Sequence, residues 1–418
     1  MIRIHSAQAL EILDSRGNPT LSVTVRLSDG TTGTAQVPSG ASTGRHEAVD
    51  LRDGDPWRYG GKGVERAAAN VERAIAPAIA GMDAEDREAV DRRMIALDAS
   101  PDKSRLGANA ILGVSCALAR AVARLRKQPL WRTLGGAVVP KLPVPMVNII
   151  SGGAHAGKRI ELQDFLIIPH GFASLRGALE GVVRVHGAAR ALIEEKGYAL
   201  TGVADEGGWG PALPSNEMAL EILTASIGRA HFAPGVDFTI AIDVASSHFF
   251  AGGEYNLASE RRVLDRDQMI GLLEGWTRRF PLTSIEDGLA EDDWEGWQSL
   301  TARLGATTQL VGDDLFATNP ARLRAGIEKG AANAVLVKMN QIGTLTETFE
   351  VLRIAREAGY RAVVSARSGE TEDSFLADLA VASGAGQIKI GSITRSERLA
   401  KYNRLLEIEA NEGRLILP

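Results

Sequence analysis

From Met1 to about Val37, apolar and polar positions alternate, the period of a strand with one buried face. SVTVRLSDGTTGTAQV (22–37) predicts two strands joined through Asp29-Gly30, a hairpin pair. From Val64 to about Arg126 the spacing turns helical, most clearly in LGANAILGVSCALARAVARL (106–125). Pro140, Pro143 and Pro145 then mark a change of pattern. Beyond them, short apolar runs (TIAID, LTSIE, QLVGD, AVLVK, VVSAR, QIK) alternate with amphipathic segments such as DQMIGLLEGWTRRF and LTETFEVLRIAREAG. From Glu286 onward these runs recur roughly every 25 residues, the length of one βα unit in a (β/α)8 barrel. The expected fold is α/β: a smaller α+β N-terminal domain over 1–135 and a (β/α)8-type barrel over 136–418.

The six runs share a further property. TIAID ends at Asp243, LTSIE at Glu286 and QLVGD at Asp313; AVLVK ends at Lys338, VVSAR at Arg367 and QIK at Lys389. One charge after a strand is ordinarily a solvated loop residue. Six in succession, three acidic and then three basic, would ring the carboxyl-terminal mouth, where such barrels carry their active sites. Converging carboxylates with hard oxygen donors imply a bound Mg²⁺, and the cations beside them imply an anionic substrate. Lys338, buried and near other cations, is expected to have a lowered pKa and to serve as a general base.

Composition narrows the classes. The net charge of −5 and scattered Lys and Arg give no basic stripe for nucleic acid and no membrane-surface patch. The single cysteine, Cys116, excludes an internal disulfide framework and reads as core. With no signal-peptide pattern and no apolar stretch of spanning length, a cytoplasmic protein is expected. Gly152 to Lys158 fits G-x-x-x-x-G-K, but Arg159 stands where a nucleotide-binding loop needs Ser or Thr.

Long stretches carry a family resemblance over nearly the whole chain: LDSRGNPT (13–20), VPSGASTGRHEAVDLRDGD (37–55), LGANAILGVS (106–115), GGAHAG (152–157), DEGGWGP (205–211), SIED (284–287), KMNQIGT (338–344), RSGETEDSFLADL (367–379) and RSERLAKYN (395–403). The chain resembles the enolases. The resemblance implies a ββαα(βα)6 barrel, a homodimer or larger homo-oligomer, and Mg²⁺-dependent loss of water from 2-phosphoglycerate. It implies two ions, the second arriving with substrate. Asp243, Glu286 and Asp313 match ligands of the first and Ser39 a ligand of the second. Lys338 matches the base at C2 and Glu206 the acid that assists loss of the C3 hydroxyl; Asp164 takes the place of a further active-site acid. His155, Gln163, Arg367, Ser368 and Lys389 match substrate contacts, His155 on a closing loop.

The departures cluster at this expected site. The family's QEF reads Gln163-Asp164-Phe165, its histidine before RSGETED is Ala366, and its Asn before GG is Ser151. SIEDPF reads SIEDGL, KTG reads Lys389-Ile390-Gly391, and Lys158-Arg159 adds a basic pair. Smaller residues at 164 and 366 suggest a bulkier or more anionic substrate, as in the enolase-like carboxyphosphonoenolpyruvate synthases of phosphonate biosynthesis. A non-catalytic binding relative is the third reading. It is disfavoured because such a protein has no need to keep both lysines, Glu206 and the three acids.

Overall fold

The computed structural model describes residues 2–40, 44–413 and 417. Residues 41–43, in the SGAST stretch, lie outside the described residues. Strands β1 (Ile4–Leu13), β2 (Pro19–Leu27) and β3 (Thr32–Gln36) form an antiparallel meander. The expected turn closes β2 onto β3: Gly30 takes φ +89°, and Asp29 Oδ1 accepts from Thr31 N at 3.0 Å. One face of the sheet buries Leu21, Val23, Val25 and Leu27 against the helix Ala108–Leu125. Each such side chain contributes about 2 kcal/mol of apolar transfer. By length and composition alone this helix is apolar enough to cross a membrane, contrary to the expectation that no segment is. Its apolar residues serve the domain core instead, with 83% of the helix buried.

The barrel strands are β4 (Val144–Ser151), β5 (Asp164–Pro169) and β6 (Phe238–Asp243). A three-stranded ribbon follows: β7 (Phe250–Ala251), β8 (Glu254–Leu257) and β9 (Arg262–Leu264). Strands β10 (Leu282–Glu286), β11 (Gln309–Gly312), β12 (Ala334–Val337), β13 (Arg361–Ser365) and β14 (Gly386–Gly391) complete the eight-stranded closed ring. All neighbours are parallel except β5, which runs antiparallel to both β4 and β6. Two helices, Leu175–Glu195 and Asn216–Arg229, separate β5 from β6, which gives the ββαα(βα)6 order. Many outer helices begin at side-chain caps that satisfy their free N–H groups, among them Ser174, Ser215, Asp265 and Thr344.

Strand alternation sorts the barrel residues into two sets. Ile167, Ile240, Ile242, Val335, Val337 and Val364 join the large core shared with the helices. Met146, Leu166, Ile168, Ala241, Val311, Ala334, Leu336 and Val363 form a separate cluster that fills the barrel interior. This apolar plug carries the charged rim above it.

Candidate active site

Asp243 and Glu286 are the last residues of β6 and β10, paired in register. Asp313 and Lys338 follow β11 and β12 directly, Arg367 lies two residues past β13, and Lys389 lies within β14. All six are buried, Lys338 partly. Asp164 reaches the same rim by the opposite route. Because β5 runs backwards, its first residue sits beside Asp243 and Ser151.

Two ammonium groups tie the acids together. Lys389 Nζ donates to Asp243 Oδ2 and Glu286 Oε2, both at 2.7 Å. Lys338 Nζ donates to Asp313 Oδ2 at 2.5 Å. Gln163 Nε2 donates to Asp243 Oδ2 (3.2 Å), and Gln341 Nε2 to Asp313 Oδ1 (2.9 Å). The second oxygen of Glu286, Oε1, is buried with no partner. Burial and the charges of Asp243 and Asp313 push the Glu286 carboxyl well up. A buried acid pushed up by neighbouring acids, with a bare oxygen, fits a hard cation. Among the described residues, ligand atoms come within 4.8 Å of one another in two sets, His155/Asp164/Glu206 and Asp287/Asp313/Asp314; the expected set Asp243/Glu286/Asp313 is not one of them, its oxygens being drawn onto Lys389 and Lys338. Asp287 there accepts from the backbone N–H groups of Asp313 and Asp314 and shapes the turn.

The expected lowering of Lys338 is not found. Burial, the largest single effect, lowers its pKa, and so does the nearby Arg367, but Asp313 and Glu286 together prevail, so the net shift is upward. Lys389, buried between two carboxylates, is raised further. With these acids free to pair with lysine, both amines are held charged.

A second cluster surrounds His155. Its Nδ1 lies 3.0 Å from Asp164 Oδ2 and its Nε2 lies 3.8 Å from Glu206 Oε1. Burial alone would lower the imidazole, yet Asp164 and Glu206 hold it up at about 9. Glu206 is displaced downward: burial opposes this, but His155, Arg398 and the two lysines prevail. Asn148 Nδ2 (2.5 Å) and Ser151 Oγ (3.1 Å) donate to Asp164 Oδ1. The carboxylate is thus drawn back onto β4.

Arg367 donates through one terminal nitrogen to Glu47 Oε2 and Asn340 Oδ1, both at 2.9 Å, and through the other to Glu47 Oε1 at 3.2 Å. Ser39 Oγ donates to Asp14 Oδ2 (2.9 Å), and its backbone pairs with Gly369. Ser368 and Arg367 lie on a loop fixed from beneath. Arg398 donates to the carbonyls of Arg367 (2.6 Å) and Ser368 (2.7 Å), and Lys401 pairs with Glu370 at 2.8 Å. Glu47, Asn340 and Gln341, and the fully buried Arg398 and Lys401, were not singled out from the sequence. Gln341 lies in KMNQIGT, and Arg398 and Lys401 lie in RSERLAKYN, but nothing in those strings alone says which polar residue turns inward.

A closed barrel with one antiparallel strand, capped by a meander-and-helix domain and rimmed by paired acids and lysines, defines a barrel lyase. The family description "Enolase, C-terminal TIM barrel domain" matches residues 139–415, and "Enolase, N-terminal domain" matches residues 4–134. A curated protein named "Enolase" from Rubrobacter xylanophilus is 54% identical over 413 residues, spanning 99% of this chain and 96% of that one. The chain belongs to the enolase family, whose members are hydro-lyases of the phosphopyruvate hydratase type.

Proposed function

We propose that this enzyme dehydrates 2-phosphoglycerate to phosphoenolpyruvate in the cytoplasm, as a homodimer or larger homo-oligomer, with its domain boundary at 135/136. The observation that carries the chemistry is the lysine–carboxylate rim, Lys338 on Asp313 and Lys389 on Asp243 and Glu286. Lys338 is the base that takes the C2 proton. Glu206 assists departure of the C3 hydroxyl, with the proton held by His155 beside it. Asp164 keeps His155 charged. Arg367, Ser368, Lys389 and Gln163 orient the phosphate and carboxylate, and Arg367 must exchange Glu47 for substrate. The donor set fits Mg²⁺: Asp243, Glu286 and Asp313 would hold one ion, and Ser39 would join a second once its hydroxyl leaves Asp14. Bound Mg²⁺ supplies positive charge to the substrate carboxylate as C2 loses its proton. Acids engaged by a cation would no longer hold Lys338 charged, which the base role requires.

The test is phosphoenolpyruvate formation from 2-phosphoglycerate with Mg²⁺, together with exchange of the C2 hydrogen in D₂O. Lys338→Ala is expected to lower both by about 10³-fold or more while Mg²⁺ still binds. Retained exchange removes Lys338 from its role.

A second reading rests on Asp164, withdrawn onto Asn148 and Ser151. It takes a bulkier phosphorylated or phosphonate three-carbon acid as substrate, of the carboxyphosphonoenolpyruvate synthase kind. On this reading Asp164→Glu with Ala366→His raises 2-phosphoglycerate turnover by about tenfold or more, since misplacing a reacting group by about 1 Å costs roughly 10²-fold. An unchanged rate favours the first reading.

A further inference from the structure

The barrel has a second polar mouth. Strand alternation places Thr239, Gln309, Arg361 and Gln387 inside the ring at the ends opposite the catalytic rim, below the plug of Leu166, Ala241, Val311, Leu336 and Val363. A cavity of about 580 Å³ opens there, lined by these four with His170 and Thr283 among others. This face of a (β/α)8 barrel ordinarily serves stability, for which apolar packing suffices. Here it is polar and roomy.

Its charge is one-sided. Among the described residues, no Asp or Glu lines the cavity, and Arg361 is its cation. The exposed Arg361 guanidinium is steered by a neutral group, Gln309 Oε1, at 3.4 Å, so its charge is not compensated there. Gln309 is itself fixed, since its Nε2 donates to Ser284 Oγ at 3.1 Å. Thr283 Oγ1 donates to Thr239 Oγ1 at 2.9 Å, and His170 Nε2 lies 2.8 Å from the same hydroxyl. One acceptor remains: Gln387 Oε1 is buried and has no donor. Buried acceptors are ordinarily satisfied.

We propose that this cavity is a second ligand site, taking a small oxyanion that also carries a hydroxyl, of the hydroxycarboxylate or phosphate class. Arg361 holds the oxyanion, and Gln387, which lines the cavity, accepts from the hydroxyl through Oε1 once its amide turns outward from its buried position. The plug separates this ligand from the catalytic rim, so the site is distinct from the one that Arg367 serves.

The experiment is calorimetry on the full chain with two probes, inorganic phosphate and D-glycerate. Arg367→Ala first removes anion binding at the catalytic rim. Saturable binding of at least one probe is expected to survive in that protein. It is expected to fall at least tenfold when Arg361→Gln is added, and to recover in part with Arg361→Lys. Phosphate alone assigns the phosphate class, glycerate alone the hydroxycarboxylate class, and both assign an oxyanion site of broad selectivity. Should Arg367→Ala fail to fold, stoichiometry decides: wild type binds one more equivalent than Arg361→Gln. Unchanged turnover of the Arg361→Gln single variant marks it as folded. No saturable binding to the Arg367→Ala protein, or equal binding with and without Arg361, overturns the proposal.

Discussion

His155 holds a proton that burial alone would remove, because Asp164 and Glu206 flank it. Its folded value of about 9 lies above 6.5, so the charged imidazole stabilises the fold fully below pH 6.5. That contribution fades as pH rises through about 9. Its upper bound is about 3 kcal/mol, at about 1.36 kcal/mol for each tenfold gain in proton affinity on folding. In chelator-treated protein, the difference in urea midpoint between wild type and His155→Gln is therefore expected to be largest below pH 6.5 and to close above pH 9. A difference that stays constant with pH would mean that His155 is neutral throughout. The sequence placed Asp243, Glu286, Asp313 and Lys338 at strand ends because their apolar runs stop at a charge; Arg367 instead stands two residues past β13, and Lys389 lies inside β14, whose pairing runs on to Gly391. The sequence did not give the state of Lys338, because a pKa depends on the nearest opposite charge, and Asp313 lies 25 residues away in the chain. The departures at Ser151 and Asp164 were visible as letters; that they bond to each other was not.

At the scale of elements, periodicity located the meander, the long helix and the later βα units. It could not give the direction of β5. DFLIIP is apolar on both faces, so its pattern is the same read either way, and only pairing with β4 and β6 orients it. Close packing in the N-terminal domain also escaped the pattern. At Gly33 on β3, an added Cβ would stand 2.2 Å from Ala117 O and 2.3 Å from Ala121 N of the long helix. Both are backbone atoms that cannot rotate away. Gly33→Val is expected to destabilise the protein by about 3 kcal/mol, read as a lowered urea midpoint at unchanged slope. A change below about 0.5 kcal/mol, the range of ordinary surface substitutions, would show that the helix stands further off the strand.

Across the whole molecule, the small domain completes the rim of the large one. Glu47 grips Arg367, Ser39 pairs with Gly369, and Arg120 holds Asp373 through two bonds of 2.5 and 2.6 Å. The same domain exposes Leu10, Leu13, Tyr59 and Trp57, the last 93% accessible, with Arg58 bonded to Glu11 between them. An apolar patch of this kind suits contact with a second copy. Trp57→Asp is expected to yield monomers in analytical ultracentrifugation with unchanged circular dichroism; an assembly of undiminished mass would place the contact elsewhere. The reversed strand has one more consequence. Since β4 ends and β5 begins at the same mouth, residues 152–163 leave and re-enter the barrel at the catalytic rim. Both feet of that segment stand beside the reacting groups, so a charge added at its exposed tip, such as Lys158-Arg159, alters the entrance, while the buried Ile160 and Leu162 tie the segment to the core. The room to retune the entrance without touching that core lies at the exposed positions 154 and 157–159.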